Sequence, residues 1–347
     1  MPPTTPALAA PAVPEPADAP PLRWGVLGPG GIAHTFAAAA RAGTRAEVVA
    51  VGSRSAERAG AFADEHGVAR SHGSYEALVA DDAVEAVYVA TPHSEHREHA
   101  LLAVAAGKHV LVEKSFARSL AETDEVLDAA RAAGVLVAEA MWSRYLPQYD
   151  VVRRTVDAGT LGELALVQAD HGQHLWPDGP QRLADPALAG GSLLDLGVYP
   201  VSFADHVLGR LDDVAARGIL TDEGVDATIG VTGRSSSALA RMTSTMAAST
   251  PCHALVAGSA GRLELSGPGY FYSAATTVRL VGPDGTLLDE FVPEHDDHGF
   301  RYEIAAVARA VAEGRTETDA MPWDATRRVM TVMDEVRRQV GVSYPGE

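Results

Sequence analysis

The stretch LRWGVLGPGGIA, residues 22–33, decides how this 347-residue chain is read. Leu22–Leu27 is a short apolar run that ends in glycine, the pattern of a buried strand. Gly28-Pro29-Gly30-Gly31-Ile32-Ala33 follows it and opens a helix over Ile32–Arg41. The segment therefore matches G-x-G-x-x-G/A at a strand–turn–helix junction. Gly28 permits the tight turn, Gly30 lets the backbone approach a pyrophosphate, and Ala33 allows the helix to pack closely on the strand. At Gly31 and Ile32 the helix N-terminus offers unpaired N–H groups and a positive dipole end to phosphates. An ordinary glycine-rich turn is the alternative reading. The next strand, Glu47–Gly52, ends at Ser53-Arg54. A site selective for NAD usually places Asp or Glu there for the ribose 2′-hydroxyl. A hydroxyl and a guanidinium suit a 2′-phosphate instead, so NADP(H) is preferred and NAD(H) stays possible. Arg54 as a solvated loop arginine is the alternative.

Further along, strands and helices alternate. Ser55–His66 reads as a helix with Ser55 as its N-cap, Ala86–Ala90 as a strand, Glu95–Ala106 as a helix and His109–Val112 as a strand. Leu120–Ala133 is a helix and Val135–Ala138 a strand. This rhythm implies a doubly wound parallel sheet, a Rossmann domain over residues 22–141. After Trp142 the rhythm changes to hairpin-linked strands: Glu163–His174, Ala227–Thr232, Ser237–Ser244, Cys252–Ala257, Gly261–Ser266, Thr277–Val281 and Leu287–Phe291. Helices are expected at Tyr149–Ala158, Leu193–Leu208, Tyr302–Glu313 and Trp323–Val340. Residues 142–347 are thus an α+β domain with a large, mainly antiparallel sheet, and the chain as a whole is of the α/β class. Residues 1–21 are rich in Pro and Ala, lack a basic start, and are expected to be a disordered tail.

Composition narrows the function. Lysine and arginine total 28 against 46 acidic residues, a net charge of −18, and no basic stripe is visible, so a nucleic-acid partner is not expected. No apolar run approaches the ~18–20 residues that span a bilayer, so no membrane partner is expected. The one cysteine, Cys252, excludes an internal disulfide and fits a reducing compartment, so a cytoplasmic protein is expected. Only two of the basic residues are lysines, Lys108 and Lys114. Lysine is a compact ammonium whose pKa can be tuned, so its survival in an arginine-rich chain flags chemistry.

Three further segments carry candidate chemistry. Thr91-Pro92-His93-Ser94-Glu95-His96 lies at a strand's carboxyl end, where ligands bind in such sheets. Helical steps of three splay His93, His96 and His99 apart, so capping and packing are expected there and no metal site. His109-Val110-Leu111-Val112-Glu113-Lys114-Ser115 brings Glu113 and Lys114 to the same end of the sheet, while Lys108 falls on the far side. In Gly190–Pro200, GGSLLDLGVYP, Asp195 and Tyr199 are four apart on one helical face, a geometry that Pro200 disturbs. Ser192 with Asp195 also reads as a capping box, and Tyr199 as a half-buried aromatic.

Together GPGGIA, TPHSEH, EKS, EAMWSRYLP and GGSLLDLGVYP resemble the Gfo/Idh/MocA oxidoreductase family, in the branch of dimeric dihydrodiol dehydrogenases and NADP-dependent xylose dehydrogenases. The closing stretch from GFRYEI to VGVSYP is similar to that branch too. The resemblance covers residues 22–347. It implies a Rossmann domain and an open-faced sheet domain with the active site between them, and a homodimer or higher homo-oligomer. The family's Glu-Lys-Pro motif falls on Glu113-Lys114, with Ser115 in place of proline. Much of the family has Asp-x-x-x-His where this chain has Asp195 and Tyr199, and a tyrosine there is similar to the branch named above, in which it is the general acid/base. The resemblance thus implies hydride transfer between a nicotinamide and a sugar or diol carbon, with Tyr199 as acid/base. A free tyrosine has a pKa of about 10, and the charge of Lys114 would bring it towards working range. Asp195 would hold a second hydroxyl, and Trp142, Arg144 and Trp176 would shape the substrate pocket. The competing reading is a nucleotide-binding regulator without turnover.

Overall fold

The computed structural model describes residues 6–294 and 299–347. These divide into two units, one of residues 14–145 with 299–327 and one of residues 6–13, 146–294 and 328–347.

The first unit is a six-stranded, all-parallel sheet in the order β3-β2-β1-β4-β5-β6. Its elements run β1 (Arg23–Leu27), α1 (Gly31–Gly43), β2 (Glu47–Gly52), α2 (Ala56–His66), β3 (Arg70–His72), α3 (Tyr75–Val79), β4 (Ala86–Val89), α4 (His96–Ala105), β5 (His109–Glu113), α5 (Leu120–Ala133) and β6 (Val137–Ala140). Strands this apolar need cover on both faces, and every residue of β4 is buried. Under α1 the Phe36 ring meets Trp24 edge-on at 5.2 Å and stacks on Tyr88 at 3.9 Å. The order reverses between β1 and β4, and at that switch point the loops after the strands form the ligand crevice.

The unit also includes α8 (Phe300–Ala312) and the start of α9 (Trp323–Val340). By compactness, residues 299–327 therefore join this unit. The Trp323 indole N–H donates to the Val137 carbonyl at 2.8 Å, and the Thr326 hydroxyl donates to Glu139 at 3.0 Å. The apolar residues Phe300, Ile304, Val307 and Ala308 of α8 are buried. A domain assembled from separate segments leaves no trace in the local strand–helix rhythm.

The second unit carries an eight-stranded sheet in the order β14-β13-β12-β11-β7-β10-β9-β8. The strands are β7 (Leu164–Gly172), β8 (Asp212–Leu220), β9 (Asp226–Arg234), β10 (Leu239–Thr245), β11 (Ala254–Gly258), β12 (Gly261–Ser266), β13 (Thr277–Val281) and β14 (Leu287–Phe291). Every pairing is antiparallel except β7 with β10. Helices α6 (Pro147–Asp157) and α7 (Val198–Leu208) and the larger part of α9 also belong to this unit. Along β10 burial alternates, with Ala240, Met242 and Ser244 inside and Leu239, Arg241 and Thr243 outside. The helical run 186–208 is long and apolar enough to cross a membrane, but 89% of its most apolar window is buried in the protein, as for a core helix.

The expected disordered tail differs over its described part. The N–H groups of Leu8 and Ala9 donate to Asp289 and Thr155, both at 2.9 Å, and Pro16–Asp18 forms a short 3₁₀ turn. Proline and alanine lose little side-chain entropy on ordering, so a few backbone hydrogen bonds hold such a strand.

Candidate active site

The glycine turn is built as its sequence requires. Gly28 has φ +94°, and a Cβ there would stand 2.9 Å from the Thr91 methyl, so only glycine fits. Gly30 caps α1 in extended conformation, and its N–H donates to the Gly28 carbonyl at 2.9 Å. A Cβ on Gly31 would meet nothing within 4 Å, so the outer side of the turn is open. Ile32 is 38% exposed beside that opening, whereas Ala33 is fully buried against the sheet. An accessible helix N-terminus behind a cradle that a side chain would fill suits a dinucleotide pyrophosphate.

At the end of β2, Ser53 is buried and its hydroxyl accepts the Ser55 N–H at 3.1 Å. Ser55 in turn caps α2, accepting the Arg58 N–H. Arg54 extends into solvent with a guanidinium nitrogen 3.2 Å from Glu95. Sequence reasoning missed Arg58, whose guanidinium lies 3.5 Å from the Pro29 carbonyl. Its spacing of four from Arg54, at the start of a helix, was the available signal.

The β4 and β5 loops are tied together by histidines. His96 is buried between two carbonyls, with Nδ1 2.8 Å from that of Ser115 and Nε2 2.8 Å from that of Thr91. Burial holds its pKa below the ordinary value, and the neutral ring has one N–H, which donates to one of the two carbonyls. His93 Nε2 lies 3.2 Å from the Lys114 carbonyl. His99 Nδ1 lies 3.0 Å from the Thr91 hydroxyl, and burial, then the nearby His96 and Arg54, lower its pKa to about 4. Pro92 leads into the short turn that carries His93. The expected capping and packing roles of these residues therefore have specific partners. Buried Glu113 accepts from the Tyr88 hydroxyl and from the Lys114 N–H. Lys114 is half-buried at the end of β5, and its peptide bond to Ser115 is cis. Lys108, at the other end of β5, donates to the carbonyls of Asp81 and Val84 at 3.0 and 2.8 Å, a structural role.

Two acids beneath this loop were not anticipated. Glu139, at the end of β6, accepts from the Phe116 N–H and from Thr326, and burial raises its pKa to about 7. Glu303 of α8 is fully buried with neither carboxyl oxygen hydrogen-bonded, and burial, then the charge of Glu113, push its pKa well up. Trp142 and Arg144 are buried in the same unit, Trp142 stacked on Phe300 at 5.5 Å.

In the second unit, residues 193–197 form a π turn leading into α7. Pro200 has no N–H for the carbonyl four residues back. That carbonyl, Leu196, is instead 3.0 Å from His171 Nδ1, which donates to it. Nε2 is then the acceptor, taking the Tyr272 hydroxyl and the Gln173 amide, both at 2.8 Å. Tyr199 stacks on Tyr272 at 3.7 Å and 7°, and Tyr270 also stacks on Tyr272, at 5.1 Å. Burial and then the Tyr199 and Tyr270 hydroxyls raise the Tyr272 pKa, so Tyr272 stays a neutral donor. Cys252, the lone thiol, is buried beside Gly172, whose N–H lies 3.4 Å from Sγ. The Ser192–Asp195 capping box is not formed. Ser192 Oγ and the Leu193 N–H both donate to Asp226, at 2.9 and 2.6 Å, and Asp195 receives Arg182 at 3.1 Å. Trp176 is partly buried against Leu183, Leu196, Val225, Ala227 and Met246. His171 and Gln173 alternate along the sequence after Ala169, so both fall on one side of the strand direction, but the partners Tyr270 and Tyr272 lie a hundred residues away.

Residues 22–141 match a family described as an oxidoreductase family with an NAD-binding Rossmann fold, and residues 149–264 match the Gfo/Idh/MocA C-terminal domain. This chain belongs to the Gfo/Idh/MocA oxidoreductase family. Among its relatives is a trans-1,2-dihydrobenzene-1,2-diol dehydrogenase of Danio rerio, 36% identical over 93% of this chain and 98% of the relative. The Homo sapiens dehydrogenase of the same name is 32% identical over the same shares. Of solved structures, a 3-ketoreductase from Actinomadura kijaniata in complex with NADP and TDP-benzene is 30% identical, with a TM-score of 0.81 over 92% of this chain and 98% of the other. An aldose-aldose oxidoreductase from Caulobacter crescentus, 24% identical, shares the fold at a TM-score of 0.82 over 93% of this chain and 98% of the other. The chain is thus an NAD(P)-binding Gfo/Idh/MocA oxidoreductase with a parallel Rossmann sheet and a second, mostly antiparallel sheet.

Proposed function

We propose that this enzyme is an NADP-dependent dehydrogenase or reductase acting on a sugar or diol, in the cytoplasm and as a homodimer. Its class is that of NAD(P)-dependent oxidoreductases of CH–OH groups. The observation that carries the reading is Tyr199, an immobilised phenol stacked on a tyrosine that His171 fixes, four residues from an Asp195 held by Arg182. In oxidation Tyr199 Oη takes the proton of the substrate hydroxyl, and in reduction it returns that proton to the carbonyl oxygen. In this reading the ammonium of Lys114 would favour the phenolate form. Asp195 orients a second substrate hydroxyl, while Trp142, Arg144 and Trp176 shape the surroundings. Gly28, Gly30, Gly31, Ile32 and Ala33 would hold the pyrophosphate. Thr91, Pro92, His93, His96 and Glu113 would shape the crevice beside it. Ser53 and Arg54, with Arg58, would meet a 2′-phosphate. When bound, the nicotinamide takes or gives the hydride.

The test is absorbance at 340 nm with NADP⁺, NADPH, NAD⁺ and NADH against a panel of aldoses, dihydrodiols and dicarbonyls. Turnover with at least one, faster with the phosphorylated cofactor, is expected. Tyr199→Phe and Lys114→Met should each lose about 10²-fold or more in kcat while still binding NADPH. Normal turnover in both variants refutes the roles assigned. Tight NADPH binding with no turnover on any substrate makes the protein a regulator on an enzyme's fold.

A further inference from the structure

On the outer side of the Rossmann sheet, His34 of α1 faces Glu65 and His66 at the end of α2. His34 Nδ1 lies 3.2 Å from Glu65 Oε1 and 2.8 Å from His66 Nε2, and the last two atoms are 3.7 Å apart. One shared N–H can hold these groups together, but all three atoms are also natural metal ligands and lie close enough to share one cation. The corners of such a triangle are about 1.9 Å from its centre, so an ion slightly out of the plane reaches each at the roughly 2.0–2.1 Å of zinc bonds to nitrogen and oxygen. Glu65 is exposed and both histidines are half-buried, so water has access to the remaining positions.

We propose that His34, Glu65 and His66 form a site for a divalent transition metal of the zinc class, bound by two imidazoles and a carboxylate. This donor set suits Zn²⁺, Co²⁺ and Ni²⁺ and disfavours the hard, oxygen-seeking Mg²⁺ and Ca²⁺. His34 is three residues past Gly31, and α2 begins just after the Ser53-Arg54 corner. The ion would therefore pin together the two helices that carry the glycine turn and the ribose corner.

The test uses full-length protein without an affinity tag, stripped with a chelator and titrated calorimetrically with ZnCl₂, MgCl₂ and, for its visible d–d absorption, CoCl₂. One Zn²⁺ and one Co²⁺ site are expected, with no Mg²⁺ competition. Glu65→Gln and His34→Gln should each weaken Zn²⁺ at least about 10-fold, the loss that even the outer partners of metal ligands produce. Zn²⁺ should raise the Tm of the parent protein and leave that of His34→Gln unmoved. Glu65 is exposed, so its variant reports on binding even if a histidine variant folds poorly. Unchanged Zn²⁺ and Co²⁺ binding in Glu65→Gln and His34→Gln, or no binding by the parent, overturns the site. Neither result depends on turnover, so the proposed catalytic role stands or falls separately.

Discussion

At Pro200 an absent N–H decides where a histidine points. The carbonyl it leaves open takes His171 Nδ1, the opposite nitrogen then accepts Tyr272, and Tyr272 presents its flat face to Tyr199. Single atoms govern the glycine turn in the same way. Gly28→Ala forces a side chain into left-handed backbone and against the Thr91 methyl. The strain should cost about 1–3 kcal/mol of stability. It should also weaken NADPH by about 10-fold or more in a fluorescence titration, because the turn must shift from the phosphates. Unaltered affinity and Tm would show that the turn is slack.

Among the elements, β6 illustrates a buried acid acting as a joint. Glu139 at its end links the Phe116 N–H after β5 to Thr326 of α9. Its pKa is about 7 against an ordinary 4.5. Below pH 4.5 the acid is protonated in folded and unfolded chains alike. Between 4.5 and 7 only the unfolded chain ionises, so stability falls as pH rises, by ~3 kcal/mol across the window, and is level above it. Glu139→Gln should remove that slope from the difference between variant and parent melts. An identical pH dependence for the two proteins would show that Glu139 does not titrate there. Elements such as β12, β13, β14 and α9 are legible in sequence to the residue, because alternation or a 3.6-residue period is strong and turns bound them. The edge strand β8 is not legible. In DDVAARGIL only Ala216 is fully buried, so burial leaves no alternation to read. The short β3 and α3 escape for lack of length. Within the candidate site, Gly28, Ser53, Glu113 and Lys114 could be found because each lies at or next to a strand end, and His96 because it opens the helix after β4. His171, Tyr272, Glu139 and Glu303 could not, since their meaning lies in partners distant in sequence.

On the scale of the whole molecule, the outer face of the eight-stranded sheet asks for a partner. Leu239 and Leu287 are 55% and 53% exposed, and Leu255 lies across from Gln168 and Glu264 in a groove of about 400 Å³ with Arg279. Apolar and charged groups are interspersed there, the composition of a protein–protein surface. Light scattering should find twice the monomer mass. Leu255→Arg should shift the protein towards monomer without altering NADPH affinity. A monomeric parent protein would rule the homodimer out.

The scarcity of lysine has a practical corollary. One of the two amines is engaged by a pair of carbonyls at the foot of β5, and the other stands at its head among the ligand loops. Reductive methylation would thus write a two-letter record on the side chains. Reading it by mass spectrometry, with and without dinucleotide, compares a reporter at the crevice with a built-in reference on the same strand.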